Sequence, residues 1–299
     1  MKWKQTLLPL VTAMIWGAAF TAQALCAEHL GPFSISAIRF FIAFVCLLPF
    51  CIILRRIGKG MGSTREIILG SLFCGTALFM ATNAQQYALN AGASASKAGF
   101  VTALYIVLVP LMQMILFRKG SFKTWIAVFI AVIGMYFLCI KEGFTVETSD
   151  LYLVLCAALF TGQILFVDHF SEKVDGFTLS CGEFLVTSAL SAIFMVTGET
   201  VTAEALRACM MPMLYVAIMS SCVGYTFQIL AQRDGDPALV SLLFSTEAIF
   251  SALFGAALMN DRLSSREWIG CSLMVAAVLL AEWPAKKKEK VPAEAAAEM

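Results

Sequence analysis

Polar side chains interrupt several long apolar runs of this sequence, and their positions indicate chemistry in an apolar environment. The clearest is Glu247, near the middle of the run 237–259. An ionised side chain at the centre of a membrane helix costs about 2.5–3.5 kcal/mol on insertion scales. A carboxyl group at that depth suggests proton coupling or a partner for a cationic group. The alternative is a structural Glu247 that is hydrogen-bonded to Ser or Thr on neighbouring helices.

Uncharged polar residues form stripes in other apolar runs. Asn83, Gln86, Tyr87 and Asn90 follow i, i+3, i+4, i+7 spacing, so they share one face of a helix. Amide and phenol groups offer donors and acceptors without net charge, which suits a polar or zwitterionic solute. The alternative is hydrogen bonding between helices, worth about 0.6 kcal/mol per bond in a bilayer. The other polar residues of this kind are Thr12, Trp16, Gln23, Tyr105 (near the kink-prone Pro110), Gln163, Ser221, Tyr225, Gln228 and Gln232.

A binding set follows from these positions. We predict that the solute contacts Trp16, Asn83, Gln86, Tyr105, Gln163, Tyr225, Gln228 and Glu247, and that Glu247 is also the coupling group. Arg39 and Glu183 each lie six residues into an apolar run, at corresponding places in the two halves of the chain. They are candidate outer and inner gates. Alternatively, they snorkel to the interface or form a fixed ion pair.

Composition indicates that these residues lie on membrane-spanning helices. The chain has 299 residues, of which 60% are hydrophobic and 14% charged, whereas soluble domains carry about 25% charged residues. A span needs roughly 20 mostly apolar residues. The runs that meet this length are approximately 5–27, 33–54, 66–89, 94–117, 122–140, 150–170, 177–197, 207–231, 237–259 and 265–283. We therefore predict an all-α membrane protein with ten transmembrane helices.

Charge and cysteine usage narrow the class further. The net charge of +1 gives no reason to expect a nucleic-acid partner. The ten cysteines are scattered through apolar runs, so they predict neither a disulfide framework nor a metal site, and no cofactor is expected. With the N-terminus inside, fifteen of the 21 Lys and Arg residues fall in cytoplasmic segments. The positive-inside rule then places both termini in the cytoplasm.

The two halves of the chain resemble each other. SFKTWIAVFIAVIGMYFL begins at Ser121 and SSREWIGCSLMVAAVLLAE at Ser264, an offset of 143 residues that also pairs Gln85 with Gln228. Five spans per half is an odd number, so the second copy must be inverted, an arrangement typical of secondary transporters. The predicted units are a first five-helix repeat at 1–143, a second, inverted repeat at 144–285 and a disordered cytoplasmic tail at 286–299.

Several motifs carry a resemblance to a known family. They are Trp16-Gly17, Arg39-Phe40, AQQYALNAGASASKAGFVTALYIVLVPL in the third and fourth runs, and SLLFSTEAIFSALFGAALMNDRLS in the ninth. Together they resemble EamA-type permeases of the drug/metabolite transporter superfamily. The sequence departs from the family at Arg118 or Lys119, where an acidic residue is expected, at Asp261 in place of Glu, and at Ala248 in place of Pro.

The resemblance implies two inverted five-helix repeats around a central cavity in the cell inner membrane. The implied activity is secondary transport of small metabolites by alternating access, with export of an amino acid, another metabolite or a drug as the expected role. Expected partners are a polar, zwitterionic or amphipathic solute and the lipid bilayer. A membrane-embedded enzyme or a structural assembly factor is the alternative. The sequence lacks HExxH and GxxxxGK[ST] motifs, and a scaffold has no need of polar stripes.

Overall fold

The computed structural model describes residues 2–58, 62–117, 121–139, 147–259 and 264–283, and these residues form helices without strands. The helices are α1 Lys2–Ala27, α2 Pro32–Arg56, α3 Thr64–Asn90, α4 Ala95–Thr102, α5 Tyr105–Phe117, α6 Phe122–Cys139, α7 Thr148–Ser171, α8 Gly176–Gly198, α9 Ala203–Ala208, α10 Met210–Leu214, a π-helix Tyr215–Tyr225, α11 Thr226–Asp234, α12 Pro237–Phe244, α13 Glu247–Met259 and α14 Ser265–Glu282.

Helices occupy all ten predicted runs. In the described part of the chain, eight segments are long and apolar enough to cross a membrane. They are Thr6–Ala27, Pro32–Arg56, Thr64–Asn90, Lys97–Leu116, Thr148–Ser171, Gly176–Gly198, Met210–Arg233 and Pro237–Phe254. The two other runs form α6, whose apolar stretch is Phe122–Phe137, and α14. A multi-pass, all-helical membrane protein is therefore confirmed, and the count of ten spans stays a prediction.

Two of the spans are interrupted near their middle. Residues Ala103 and Leu104 separate α4 from α5, and residues Ser245 and Thr246 separate α12 from α13. At each interruption the backbone makes i to i+3 bonds, such as Leu104 N to Val101 O at 3.2 Å and Thr246 N to Leu243 O at 3.2 Å. These are 3₁₀ turns, which often mark hinges when they occur within a helix.

The interruption in the fourth span lies before the expected kink site. Pro110 is inside α5, so the discontinuity is several residues earlier than the proline that suggested a kink. Side-chain hydroxyls satisfy carbonyls at the second interruption, where Ser245 Oγ donates to Leu242 O at 2.7 Å. Such local bonds replace the helical ones that a break removes, which is the condition for irregular backbone at membrane depth.

The eighth span contains a long π-helical segment, Tyr215–Tyr225, between α10 and α11. A π-helix is wider than an α-helix and is found frequently at functional sites. Gly224 lies in this segment, and a Cβ atom at that position would come within 2.5 Å of Trp16 Nε1 on α1. The absence of a side chain at Gly224 therefore lets the indole of Trp16 reach the backbone of the π-helix.

The two halves of the chain pack against each other along their length. The main helix pairs are α6 with α14, α3 with α7, α2 with α8, α3 with α8, and α1 with α13, and each pair joins the first half to the second. Small residues allow close approach, as membrane helices require. At Gly17 of α1 a Cβ atom would lie 2.7 Å from the backbone oxygen of Glu247. This contact positions α1 directly against the start of α13.

Candidate functional site

A small cavity, about 40 Å³ in volume, lies between α1 and the two interrupted spans. Its lining is Trp16, Ala19, Phe20, Gln23, Arg39, Gln85, Thr102, Tyr105, Phe160, Ile164, Ser220, Tyr225, Gln228, Phe244 and Glu247. Eight of these fifteen residues are aromatic or aliphatic and seven are polar or charged, so the lining is mixed.

Glu247 is the first residue of α13, directly after the second interruption, and its side chain is buried. The Tyr105 hydroxyl, on the first residue of α5, donates to Glu247 Oε1 at 3.4 Å. A carboxylate in the first turn of a helix interacts favourably with the helix dipole. The interruption thus gives Glu247 a helix N-terminus at a depth where an uninterrupted helix would have none.

Arg39 brings a positive charge to the same cavity. Its side chain is only 2% exposed, and Nη1 donates to Gln23 Oε1 at 2.9 Å. The guanidinium carbon lies 4.6 Å from the centre of the Phe40 ring, a cation–π contact. Arg39 Nε is buried and has no hydrogen-bond partner among the described residues. No ion pair joins Arg39 to Glu247 in the described part of the chain.

Trp16 forms an aromatic wall of the cavity. Its indole Nε1 donates to the backbone oxygen of Ser220 in the π-helix at 3.1 Å. Its ring centre lies 5.0 Å from that of Tyr225 and 5.2 Å from that of Phe244. Since these three rings come from three different spans, they connect α1 to the π-helix and to the C-terminus of α12.

Five of the eight predicted solute contacts line this cavity. They are Trp16, Tyr105, Tyr225, Gln228 and Glu247. They come from four separated stretches of sequence, and the fold brings them together around one space. Arg39, predicted as a gate, also lines it. It is too deeply buried to snorkel to the membrane interface.

The other three predicted contacts lie behind the lining. Asn83 Nδ2 donates to Ser191 Oγ of α8 at 3.4 Å, which is a bond between helices. Gln86 Nε2 donates to Gln23 O at 3.4 Å, and Gln23 itself lines the cavity. Gln163 Nε2 donates to a Glu183 carboxylate oxygen at 2.8 Å. Their role as solute contacts stays a prediction. In the structure each of the three donates a hydrogen bond to a neighbouring side chain or backbone oxygen.

Glu183, the other predicted gate, is fully buried in α8 and does not line the cavity. The polar residues of the stripe on α3 also differ in burial. Tyr87 is 39% exposed and packs against Phe33 and Tyr152, whereas Asn83 and Gln86 are buried. A stripe of i, i+3, i+4, i+7 residues spans a wide arc of the helix, and the edge at Tyr87 faces outward.

Besides Arg39, which was predicted as a gate, four polar lining residues are absent from the predicted contact set: Gln23, Gln85, Thr102 and Ser220. Gln85 carries a signal in the sequence, since the repeat offset pairs it with Gln228. Gln85 Nε2 donates to Thr102 Oγ1 at 3.3 Å, which joins two lining side chains. Ser220 contributes its backbone oxygen through the π-helix, a geometry that no residue pattern indicates.

Comparison with known proteins identifies a family and relatives that match nearly the whole chain. The pattern of the EamA-like transporter family matches residues 3–140 and again residues 148–283. An uncharacterized transporter of Archaeoglobus fulgidus is 26% identical over 271 residues, covering 90% of this chain and 83% of that protein. The uncharacterized inner membrane transporter YedA of Escherichia coli (strain K12) is 23% identical, covering 94% of this chain and 92% of that protein.

A crystal structure at 20% sequence identity matches with a TM-score of 0.73, covering 93% of this chain and 96% of that chain, and it supports the fold alone. The family pattern covers nearly the whole chain and occurs once in each half. The chain therefore belongs to the EamA-like transporter family, part of the drug/metabolite transporter superfamily.

Proposed function

We propose that this chain is a secondary transporter of small zwitterionic metabolites such as amino acids, and that it exports them by alternating access. The observation that carries the proposal is a cavity into which one buried cation, Arg39, and one buried carboxyl group, Glu247, both project without pairing to each other. A buried charge without a partner is costly, and a ligand of opposite charge removes that cost.

A zwitterion complements this arrangement. Its carboxylate would accept hydrogen bonds from the Arg39 guanidinium, whose Nε is unpartnered, and its ammonium group would approach Glu247. Charge-assisted hydrogen bonds of this kind are the stronger ones in proteins. The apolar part of the solute would lie against Phe20, Phe160 and Phe244. Glu247 would repel a solute that carries only negative charge, and Arg39 would repel a solute that carries only positive charge.

The proposed architecture has ten spans in two five-helix repeats, of which the second is inverted. The protein would lie in the cell inner membrane with both termini in the cytoplasm. Alternating access would rock one repeat against the other around the cavity. The 3₁₀ turns at 103–104 and 245–246 are suitable hinges, because each lies within a span and next to a lining residue, Tyr105 or Glu247. Protonation of Glu247 would couple that motion to a proton gradient.

Transport in proteoliposomes tests the proposal. The purified full chain is reconstituted, and efflux and counterflow of radiolabelled amino acids are measured with and without a pH gradient. We expect a zwitterionic amino acid to move and a pH gradient to change the direction or rate of its net flux. A folded protein that moves no amino acid, and moves an anionic or cationic metabolite instead, would contradict the zwitterionic class. Empty vesicles are the control for leak.

A membrane-embedded enzyme or an assembly factor remains the alternative function. The relatives are named as transporters, and among the described residues no group of three potential metal ligands is found. An assembly factor would not need opposite charges around an internal space. The same proteoliposome measurement separates these alternatives, since neither predicts saturable flux.

A further inference from the structure

Three glutamines form a hydrogen-bonded relay beside the cavity. Gln228 Nε2 donates to Gln163 Oε1 at 2.9 Å and to Gln232 Oε1 at 3.0 Å. Gln163 Nε2 donates to Glu183 Oε1 at 2.8 Å, and Gln232 Nε2 donates to the Ile164 backbone oxygen at 2.9 Å. All three glutamines are at most 2% exposed, and Gln228 alone of the three lines the cavity.

The two ends of this relay determine its direction. A backbone carbonyl only accepts hydrogen bonds, so Gln232 must present its NH2 group to Ile164 and its oxygen to Gln228. An ionised Glu183 carboxylate likewise only accepts, so Gln163 must then present its NH2 group to Glu183 and its oxygen to Gln228. An amide oriented the other way would set oxygen against oxygen at both ends.

Gln163 and Gln232 therefore both present an oxygen to Gln228, so Gln228 must donate both of its amide hydrogens. Its own oxygen, Oε1, is left over, and this atom is buried without a partner among the described residues. A buried acceptor without a donor is costly. Since Gln228 lines the cavity, a solute or a water molecule in the cavity can supply the missing donor.

We propose that Glu183 and Ile164 O, acting through Gln163 and Gln232, hold Gln228 Oε1 as a fixed hydrogen-bond acceptor for an N–H donor of the transported solute. Gln228 is then a specificity-determining residue, and Glu183 is a positioning residue that never touches the solute. The inference rests on the proposed function for the identity of the solute. The orientation of the relay is independent of it.

The corresponding residue of the first repeat lacks such a relay. Gln85 donates to Thr102 Oγ1, and a hydroxyl can both donate and accept, so it imposes no orientation on the amide. The relay is therefore a property of the second half of the chain. Gln85 serves as a matched glutamine for experiments, being buried, polar and part of the same lining.

Thermal unfolding of the purified full chain tests the relay without any ligand. Gln228→Glu places a carboxylate against the oxygens of Gln163 and Gln232, so we expect Tm to fall by about 5 °C more than for Gln85→Glu. In a Glu183→Gln background the loss should be clearly smaller, because Gln163 is free to turn its NH2 group toward position 228. Equal losses in both backgrounds would overturn the positioning role of Glu183.

Direct repulsion between two carboxylates would also couple positions 183 and 228, and a third variant separates it from the relay. Gln163→Met removes the intermediary and leaves both charges in place. The coupling between Glu183→Gln and Gln228→Glu should then largely disappear. A coupling that persists in the Gln163→Met background is simple charge repulsion, and it would overturn the relay.

Transport of two probes tests the acceptor. L-leucine and N,N,N-trimethyl-leucine carry the same charges, but the second has no N–H donor. We expect Gln228→Met to reduce the wild-type preference for leucine by about tenfold, through KM rather than kcat. Glu183→Gln should reduce it partly, whereas Ser188→Ala, which removes a buried bond from α8 to Ala37 O at 2.9 Å, should leave the preference unchanged.

The outcomes separate the inference from the proposed function. If wild-type protein moves neither probe while the unfolding series behaves as expected, the solute class is wrong and the relay stands. If leucine is transported and Gln228→Met retains the full preference for it over the trimethylated probe, Gln228 Oε1 is not an acceptor for the solute, and the inference fails although the transporter is confirmed.

Discussion

The side chains of Tyr105 and Glu247 meet in the cavity. Each is the first residue after a 3₁₀ interruption of its span, they are 142 residues apart, and the Tyr105 hydroxyl donates to Glu247 Oε1 at 3.4 Å. The repeat offset of 143 aligns Glu247 with Leu104, next to Tyr105. The two interrupted spans therefore cross where Glu247 supplies a carboxyl group to the lining.

Replacing Glu247 by glutamine keeps its size and removes its charge and its exchangeable proton. We predict that Glu247→Gln abolishes transport driven by a pH gradient and retains solute exchange, because exchange needs no net proton movement. Tyr105→Phe is the matched variant: it removes the hydrogen bond to Glu247 and keeps the carboxyl group, so pH-driven transport should persist at a reduced rate. Both are measured in proteoliposomes. Unchanged pH-driven transport in Glu247→Gln would rule out the coupling role.

Replacing Arg39 tests the carboxylate end of the site. Arg39→Met should raise KM for leucine by about tenfold to a hundredfold, the value of a hydrogen bond between charged groups. KM for leucinamide, which has no carboxylate, should change little or fall. Arg39→Lys should recover only part of the affinity, because an ammonium group lacks the planar pair of donors. Equal effects of Arg39→Met on both solutes would show that Arg39 acts through stability alone.

The amino-acid sequence is sufficient to predict the class of protein and the helices. Helix positions follow from runs of about 20 apolar residues, and the polar interruptions of those runs at Trp16, Gln228 and Glu247 indicate residues that the fold brings to one cavity. Asn83 has the same signal, yet its amide bonds to Ser191 of a neighbouring helix. Residue type and helical spacing cannot distinguish a cavity wall from an interhelical bond, because both require a buried polar side chain.

The interruptions of the two spans could not be predicted from the amino-acid sequence. Neither Ala103-Leu104 nor Ser245-Thr246 contains Gly or Pro, the residues that usually break helices. Pro110, which does carry such a signal, lies inside α5. Both interrupted spans pack against α1, a tertiary contact that the residue types at the interruptions do not indicate.

The close contact of α1 with α13 should be sensitive to a single methyl group. In Gly17→Ala the new Cβ would lie 2.7 Å from Glu247 O and 2.8 Å from Ser251 N, so the helices must separate. We predict a loss of about 1–3 kcal/mol in the free energy of unfolding, typical of overpacking, together with slower transport. Gly162→Ala is the control, since a Cβ there meets nothing within 4 Å. Similar unfolding temperatures for the two variants would contradict this prediction.

Hydrogen bonds of Glu199 connect the end of α8 to the start of α2, and we expect them to stabilise the protein. The Glu199 carboxylate accepts from Phe33 N at 3.0 Å, Ser34 N at 2.7 Å and Ser34 Oγ at 2.5 Å, so the residue that follows α8 caps the N-terminus of α2. Glu199→Ala should lower the free energy of unfolding by about 1–2 kcal/mol, as for loss of a helix cap. Glu204→Ala, at an exposed glutamate nearby, should have little effect. Chemical denaturation of the purified protein measures both, and equal midpoints would refute the stabilising role of these hydrogen bonds.

The central claim is that solute passes through the cavity between Arg39 and Glu247, and a cavity-filling variant tests it most directly. Ala19 lines the cavity and the adjacent Ala18 does not, so Ala19→Phe and Ala18→Phe differ in whether the new ring enters that space. Counterflow of radiolabelled proteinogenic amino acids is measured for both variants after each is shown to be folded and monodisperse. We predict exchange of a zwitterionic amino acid by the wild-type protein and by Ala18→Phe, and none by Ala19→Phe. Exchange by Ala19→Phe at the wild-type rate would contradict the account.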